Sequence, residues 1–157
     1  MNPKTMSFVV NAGSKLASRN DVKLEAGALA IPPDPSIVTY SIFKPALLSL
    51  LSYWSCDWAN AYAFKMGYWK AATAPGVPPM PYSRFHMPWL SYLSAPLAEG
   101  IVLPHDIVSE RTADGGLLMI AAQERLDPAN PEHMKRSRVL SDIMVERIGG
   151  DQRSPHE

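Results

Sequence analysis

Cysteine is almost missing from this chain. Cys56 stands alone, which excludes an internal disulfide and any thiolate zinc cage and fits a reducing compartment. Long apolar runs are missing too. The most apolar segment, residues 46–51, is far too short to span a bilayer. Asn11, Gly13, Ser14 and Lys15 break up the first stretch, so it does not read as a signal peptide. Neither sign of charge is in excess, with 15 Lys plus Arg against 15 Asp plus Glu. Proteins that bind nucleic acid or anionic membranes usually carry a basic surplus, and none is present here. Two catalytic signatures are also lacking. There is no Gly-x-Ser-x-Gly elbow, and Gly115-Gly116 lacks the Gly-x-x-x-x-Gly-Lys spacing of a phosphate loop. These absences together predict a soluble cytoplasmic protein with no cofactor, no metal and no direct contact with nucleic acid or membrane.

What is present suits one folded unit. The 157 residues are 46% apolar, enough for a single core over residues 1–150, with a polar tail at 151–157. Fifteen prolines are about twice the average usage and predict long fixed loops.

The clearest local signals lie between Asp114 and Leu140. Asp114-Gly115-Gly116 reads as a tight turn, since glycine reaches positive φ without steric cost. The uncharged run 117–122 has the length of a strand covered on both faces. Asn130-Pro131-Glu132 spells a helix start: an acceptor for free N–H groups, a residue with no N–H to waste, and a carboxylate at the positive dipole end. That helix should run to Ile148 and stop at Gly149-Gly150. Leu140, Ile143, Met144 and Ile148 form its apolar face, and Lys135, Arg136, Arg138, Asp142 and Glu146 its wet one.

Upstream, residues 6–11 read as a first strand, 13–20 as a loop and 21–31 as a second strand, with Val22, Leu24 and Ala26 alternating against Lys23 and Glu25. Residues 37–40 are a short β-prone piece. A helix follows over residues 41–54, with Phe43, Ala46, Leu47, Leu50, Leu51 and Trp54 at three-four spacing. Pro45 belongs in or near its first turn, because deeper in a helix it would remove a hydrogen bond. Trp58, Tyr62 and Phe64 share one parity and suit a strand, although helical spacing would also pair Trp58 with Tyr62. Residues 68–88 form an ordered loop rich in proline and aromatics. Residues 89–93 make another strand, and 107–110 a strand that pairs with 117–122 through the glycine turn. Strands and helices do not alternate regularly. The predicted fold class is therefore α+β: an antiparallel sheet of about four to six strands with two main helices packed on it.

The ionisable residues offer little chemistry. His105-Asp106 fits a turn after Pro104 better than a metal site, which needs further ligands at fixed spacing. His133, in the first turn of the last helix, fits a neutral, half-exposed structural residue. Cys56 has Asp57 beside it, which disfavours a thiolate, and reads as a small core residue. The most unusual stretch is 68–89. Tyr68, Trp69, Tyr82, Arg84, Phe85 and His86 are residue types that concentrate binding energy at interfaces. The competing expectation is that Trp69 and Trp89 cap the core while the prolines hold their loop.

Four motifs, in order, carry a family resemblance. They are the amphipathic helix ending in Trp54 with Asp57-Trp58 behind it; Pro88-Trp89-Leu90-Ser91-Tyr92-Leu93-Ser94; Glu110-Arg111-Thr112 leading through Asp114-Gly115-Gly116 to Leu117-Leu118-Met119; and Glu124-Arg125-Leu126-Asp127 with Asn130-Pro131-Glu132-His133. Over residues 43–148 this arrangement resembles the Immunity protein 52 family of bacterial polymorphic-toxin systems. The resemblance implies a small non-enzymatic protein that binds and neutralises a cognate toxin, often a nuclease of the restriction-endonuclease fold, with no catalytic residues to transfer. Two other readings stay open on the residues alone. One is a small metal-dependent hydrolase built on His105, Asp106 and His86. The other is a protein-binding adaptor that uses 68–89 and has no toxin partner.

Overall fold

A computed structural model describes residues 6–11, 20–26, 34–63 and 87–148. The chain runs through β1 (Met6–Asn11), β2 (Asp21–Ala26), α1 (Tyr40–Tyr53), β3 (Trp58–Tyr62), β4 (Leu90–Leu93), a one-turn helix α2 (Ala95–Ala98), β5 (Val108–Arg111), β6 (Leu117–Ile120) and α3 (Pro131–Ile148). The strands form one six-stranded sheet in the order β1-β2-β3-β4-β6-β5. The architecture is α+β, as the sequence indicates, and α1 and α3 are its two long helices.

One joint departs from the antiparallel expectation. β2 and β3 run parallel, with Val22 opposite Ala59 and Leu24 opposite Ala61. The cause is α1, which lies between them in sequence and carries the chain back to the starting end of the sheet. The other four joints are antiparallel.

α1 buries Phe43 and Leu47, while Ala46, Leu50 and Leu51 pack partly against the core. The predicted stripe loses its last member. The helix stops at Tyr53, and Trp54 turns to extended backbone while its N–H still reaches the Leu50 carbonyl at 3.0 Å. The freed indole lies 6.1 Å from the Phe8 ring on β1. Pro45 is the sixth residue of α1, in its second turn rather than its first. Its nitrogen forfeits the bond to the Ser41 carbonyl, and Ser41 is exposed, so water can serve that group. Residues 37–39 are not β-structure. Ile37 and Val38 donate to the Asp34 carbonyl at 3.2 Å, and the Asp34 carboxylate takes the Ser36 N–H at 2.9 Å, so the segment is a turn that leads into α1.

The middle of the sheet is closed on both faces. All four residues of β4 and of β6 are buried, as are Trp58, Ala59, Asn60 and Ala61 of β3. The β6 expectation holds, with β6 ending at Ile120. Ala121 extends the pairing by donating to the Trp89 carbonyl at 2.9 Å. Trp89 is anchored at both ends. Its indole N–H donates to the Ala122 carbonyl at 2.9 Å and its ring lies 5.2 Å from Phe43. Full burial of side chains this large contributes about 1.5–3 kcal/mol each.

α3 starts as its sequence spells. Asn130 Oδ1 accepts from the N–H groups of Glu132 (3.0 Å) and His133 (3.4 Å). Its buried face is His133, Ser137, Leu140, Ser141 and Met144. Ile143 and Ile148, expected on that face, are only partly buried. Ser137 can be buried because its hydroxyl is served: Ser137 Oγ donates to the Pro88 carbonyl at 2.9 Å. Lys135, Arg138, Asp142 and Glu146 are exposed as expected, whereas Arg136 is half-buried. No helix among the described residues is long and apolar enough to cross a membrane.

Candidate protein-binding surface

The proposed contact residues Tyr68, Trp69, Tyr82, Arg84, Phe85 and His86 lie outside the described residues, as do Phe64 and the tail. The site therefore has to be sought elsewhere, beginning with the ionisable groups.

Asp114 organises the β5–β6 turn. Its Oδ1 takes the Thr112 hydroxyl at 2.5 Å and the Gly116 N–H at 3.2 Å, and its Oδ2 takes the Tyr92 hydroxyl at 2.5 Å. Burial alone would raise the Asp114 pKa. The bonds from Thr112, Tyr92 and Gly116 outweigh it and hold the carboxyl below its ordinary range. Tyr92 shifts the opposite way, raised first by burial and then by its bond to the Asp114 anion. Gly115 adopts φ +82, the left-handed region that favours glycine. At Gly116 a Cβ would come within 2.8 Å of the Leu93 carbonyl oxygen, so the close approach of β4 requires glycine.

The remaining groups are committed in a similar way. His133 is buried rather than half-exposed. Its Nδ1 accepts the Asp127 N–H at 3.1 Å, which leaves the ring proton on Nε2, 2.9 Å from Glu124. Lys135 reaches Asp106 at 3.5 Å. His105-Asp106 forms the expected turn, closed by the Ile107 N–H on the Pro104 carbonyl at 3.0 Å. Cys56 is buried, and burial pushes its thiol up to about 12, with Asp57 adding to the shift. Among the described residues no three His, Cys, Asp or Glu side chains group so as to hold a metal ion.

The surface is more informative at the β5 edge. All four β5 residues are exposed, and among the described residues β5 pairs only with β6. Beside it a cleft of about 350 Å³ opens between α1 and the β5–β6 turn. Leu48, Leu51 and Leu118 supply its apolar lining, and Glu110, Arg111, Thr112 and Asp114 its polar part. That polar part is fixed by bonds within the chain. Lys44 holds Glu110 at 2.6 Å, and Arg111 Nη1 donates to the Gly115 carbonyl at 3.1 Å. The bond to Glu110 raises the Lys44 pKa. A cleft with an apolar lining and an ordered charged rim suits an amphipathic side chain from another protein. An exposed strand edge offers backbone groups for a ladder. A second cleft of about 520 Å³ lies where Thr39, Tyr40 and Ser41 at the start of α1 meet Gln123, Glu124 and Arg125.

The sequence alone assigns no contact role to Lys44, Leu48, Val108 or Arg111. One signal was available: Glu110-Arg111 puts adjacent opposite charges in a short strand, as edge strands do. In comparisons with known proteins, no family model, no curated protein and no solved structure matches this chain significantly.

Proposed function

We propose that this chain is an immunity protein of the Immunity protein 52 type, which neutralises a cognate bacterial toxin by stoichiometric binding without turnover. The expected toxin is a nuclease of the restriction-endonuclease fold acting in the cytoplasm, and the immunity protein acts there with it. One observation carries the binding part of this reading: the open β5 edge adjoins a cleft whose charged rim is already locked by internal bonds. Groups ordered before contact lose little freedom on contact, which favours tight association. The family part rests on the ordered motifs quoted above. The test is co-expression with a nuclease toxin domain encoded beside this chain's gene. Cells making both should survive, and the two chains should purify as a stable complex. Equal killing with and without this protein would sink the proposal.

A further inference from the structure

The two edges of the sheet differ. β5 is four residues long and carries Glu110 and Arg111. β1 is six residues long, reads Met-Ser-Phe-Val-Val-Asn, and carries no charge and no proline. Soluble proteins protect edge strands with lysine, proline, bulges or shortness, and β1 has none of these over its paired length. Among the described residues it pairs only with β2. Each of its faces exposes an apolar side chain: Phe8 is 55% exposed on one, and Val9, which shares its face with Ser7, is 46% exposed on the other. Uncharged strands with apolar residues on both faces belong in sheet interiors. Next to Phe8 the surface continues into Trp54, 6.1 Å away and 38% exposed, and then Tyr53, 80% exposed.

We propose that β1 is a dimer interface, with two copies of this chain joining antiparallel, β1 to β1, so that their sheets become continuous. Three observations favour a second copy as the occupant. The strand offers only apolar and small polar side chains, so its best match is a surface like itself, and an antiparallel two-fold brings each face of β1 against its own counterpart. The formal net charge is zero, so two copies do not repel. The open parts of Met6, Phe8, Tyr53 and Trp54 amount to on the order of 300–550 Å², taking about 150–250 Å² per side chain. That is about half of the roughly 800 Å² each partner brings to a standard interface. The ladder backbone adds to it. The inference concerns the edge opposite β5 and does not depend on toxin binding.

The test is the mass of the full chain in solution at micromolar concentration, by sedimentation equilibrium. Wild type should show about twice 17.3 kDa. Val9→Glu places its carboxylate opposite Lys23 within one copy, which the fold tolerates, but puts an acid at the junction. It should return the mass to 17.3 kDa with an unchanged circular dichroism spectrum. Tyr53→Glu, at a side chain too exposed to matter for folding, should weaken the dimer at least tenfold and decides the matter if the first variant fails to fold. Wild type at any mass other than the dimer's would overturn the proposal. So would a dimer that the folded variants leave intact.

Discussion

The Tyr92 hydroxyl donates to Asp114 across 2.5 Å and ties β4 to the turn between β5 and β6. The phenol is almost wholly buried, while the carboxylate sits at an exposed turn and takes two further bonds. Tyr92→Phe removes one hydrogen bond to a charged acceptor and leaves Asp114 served by Thr112, Gly116 and water. The expected loss is about 1–2 kcal/mol in urea unfolding. An unchanged midpoint would show that the tie does not contribute.

Acid should weaken the same tie. The folded Asp114 carboxyl lies below its ordinary value, so the folded state binds this proton less readily than the unfolded chain does. Its contribution is therefore complete above the unfolded value of about 3.9 and is lost as pH falls through the folded value. Asp114→Asn should flatten this part of the stability profile. The measurement is the unfolding midpoint of both proteins from neutral pH down to acid, and parallel profiles would contradict the assignment.

Gly116→Ala should be the costlier of two glycine substitutions. The new methyl meets the Leu93 carbonyl oxygen, a backbone atom that cannot swing aside, and overpacking of this kind costs about 1–3 kcal/mol. Gly115→Ala has room around it but must hold φ +82, which costs about 1–2 kcal/mol. Thermal unfolding of the pair checks the order.

At the β5 edge the expectation reverses: function should change while stability does not. Val108→Lys and Ser109→Lys alter exposed side chains and should stay within about 0.5 kcal/mol of wild type. If this edge meets the toxin, both should lower protection in the co-expression assay and loosen the purified complex. Full protection by both variants would move the contact elsewhere on the molecule.

Cys56 reports on opening. Its thiol is buried and held up to about 12, so little thiolate forms at neutral pH. Labelling by a thiol reagent should be slow in the native protein and complete in denaturant. Fast native labelling would contradict the packing around Cys56.

Most of the architecture was legible in the residues, and the reasons are local. Asp114-Gly115-Gly116, Asn130-Pro131-Glu132 and the uncharged run from Leu117 each combine a backbone requirement with a residue type that meets it. All three appear where expected. The parallel joint was not legible, because the direction of β2 against β3 depends on where α1 returns the chain and not on either strand's composition. Trp54 was misplaced because periodicity records spacing and not where a helix ends. The buried face of α3 differs from the expected one because Ser137 and Ser141 count as polar in a pattern, although a serine can be buried once a carbonyl accepts its hydroxyl, as Pro88 does for Ser137. The surface was least legible. The β5 edge is defined by the lack of a further paired strand among the described residues, and no residue encodes that directly.

The parallel joint also bears on how the chain assembles. During synthesis β1 and β2 emerge as an isolated two-stranded ribbon, a form only marginally stable in water. Their third strand arrives only after the whole of α1 has been made. Until Val22 and Leu24 meet Ala59 and Ala61, the apolar side chains of β2, buried in the finished fold, stay open to every neighbouring chain. This window is where premature clumping would start.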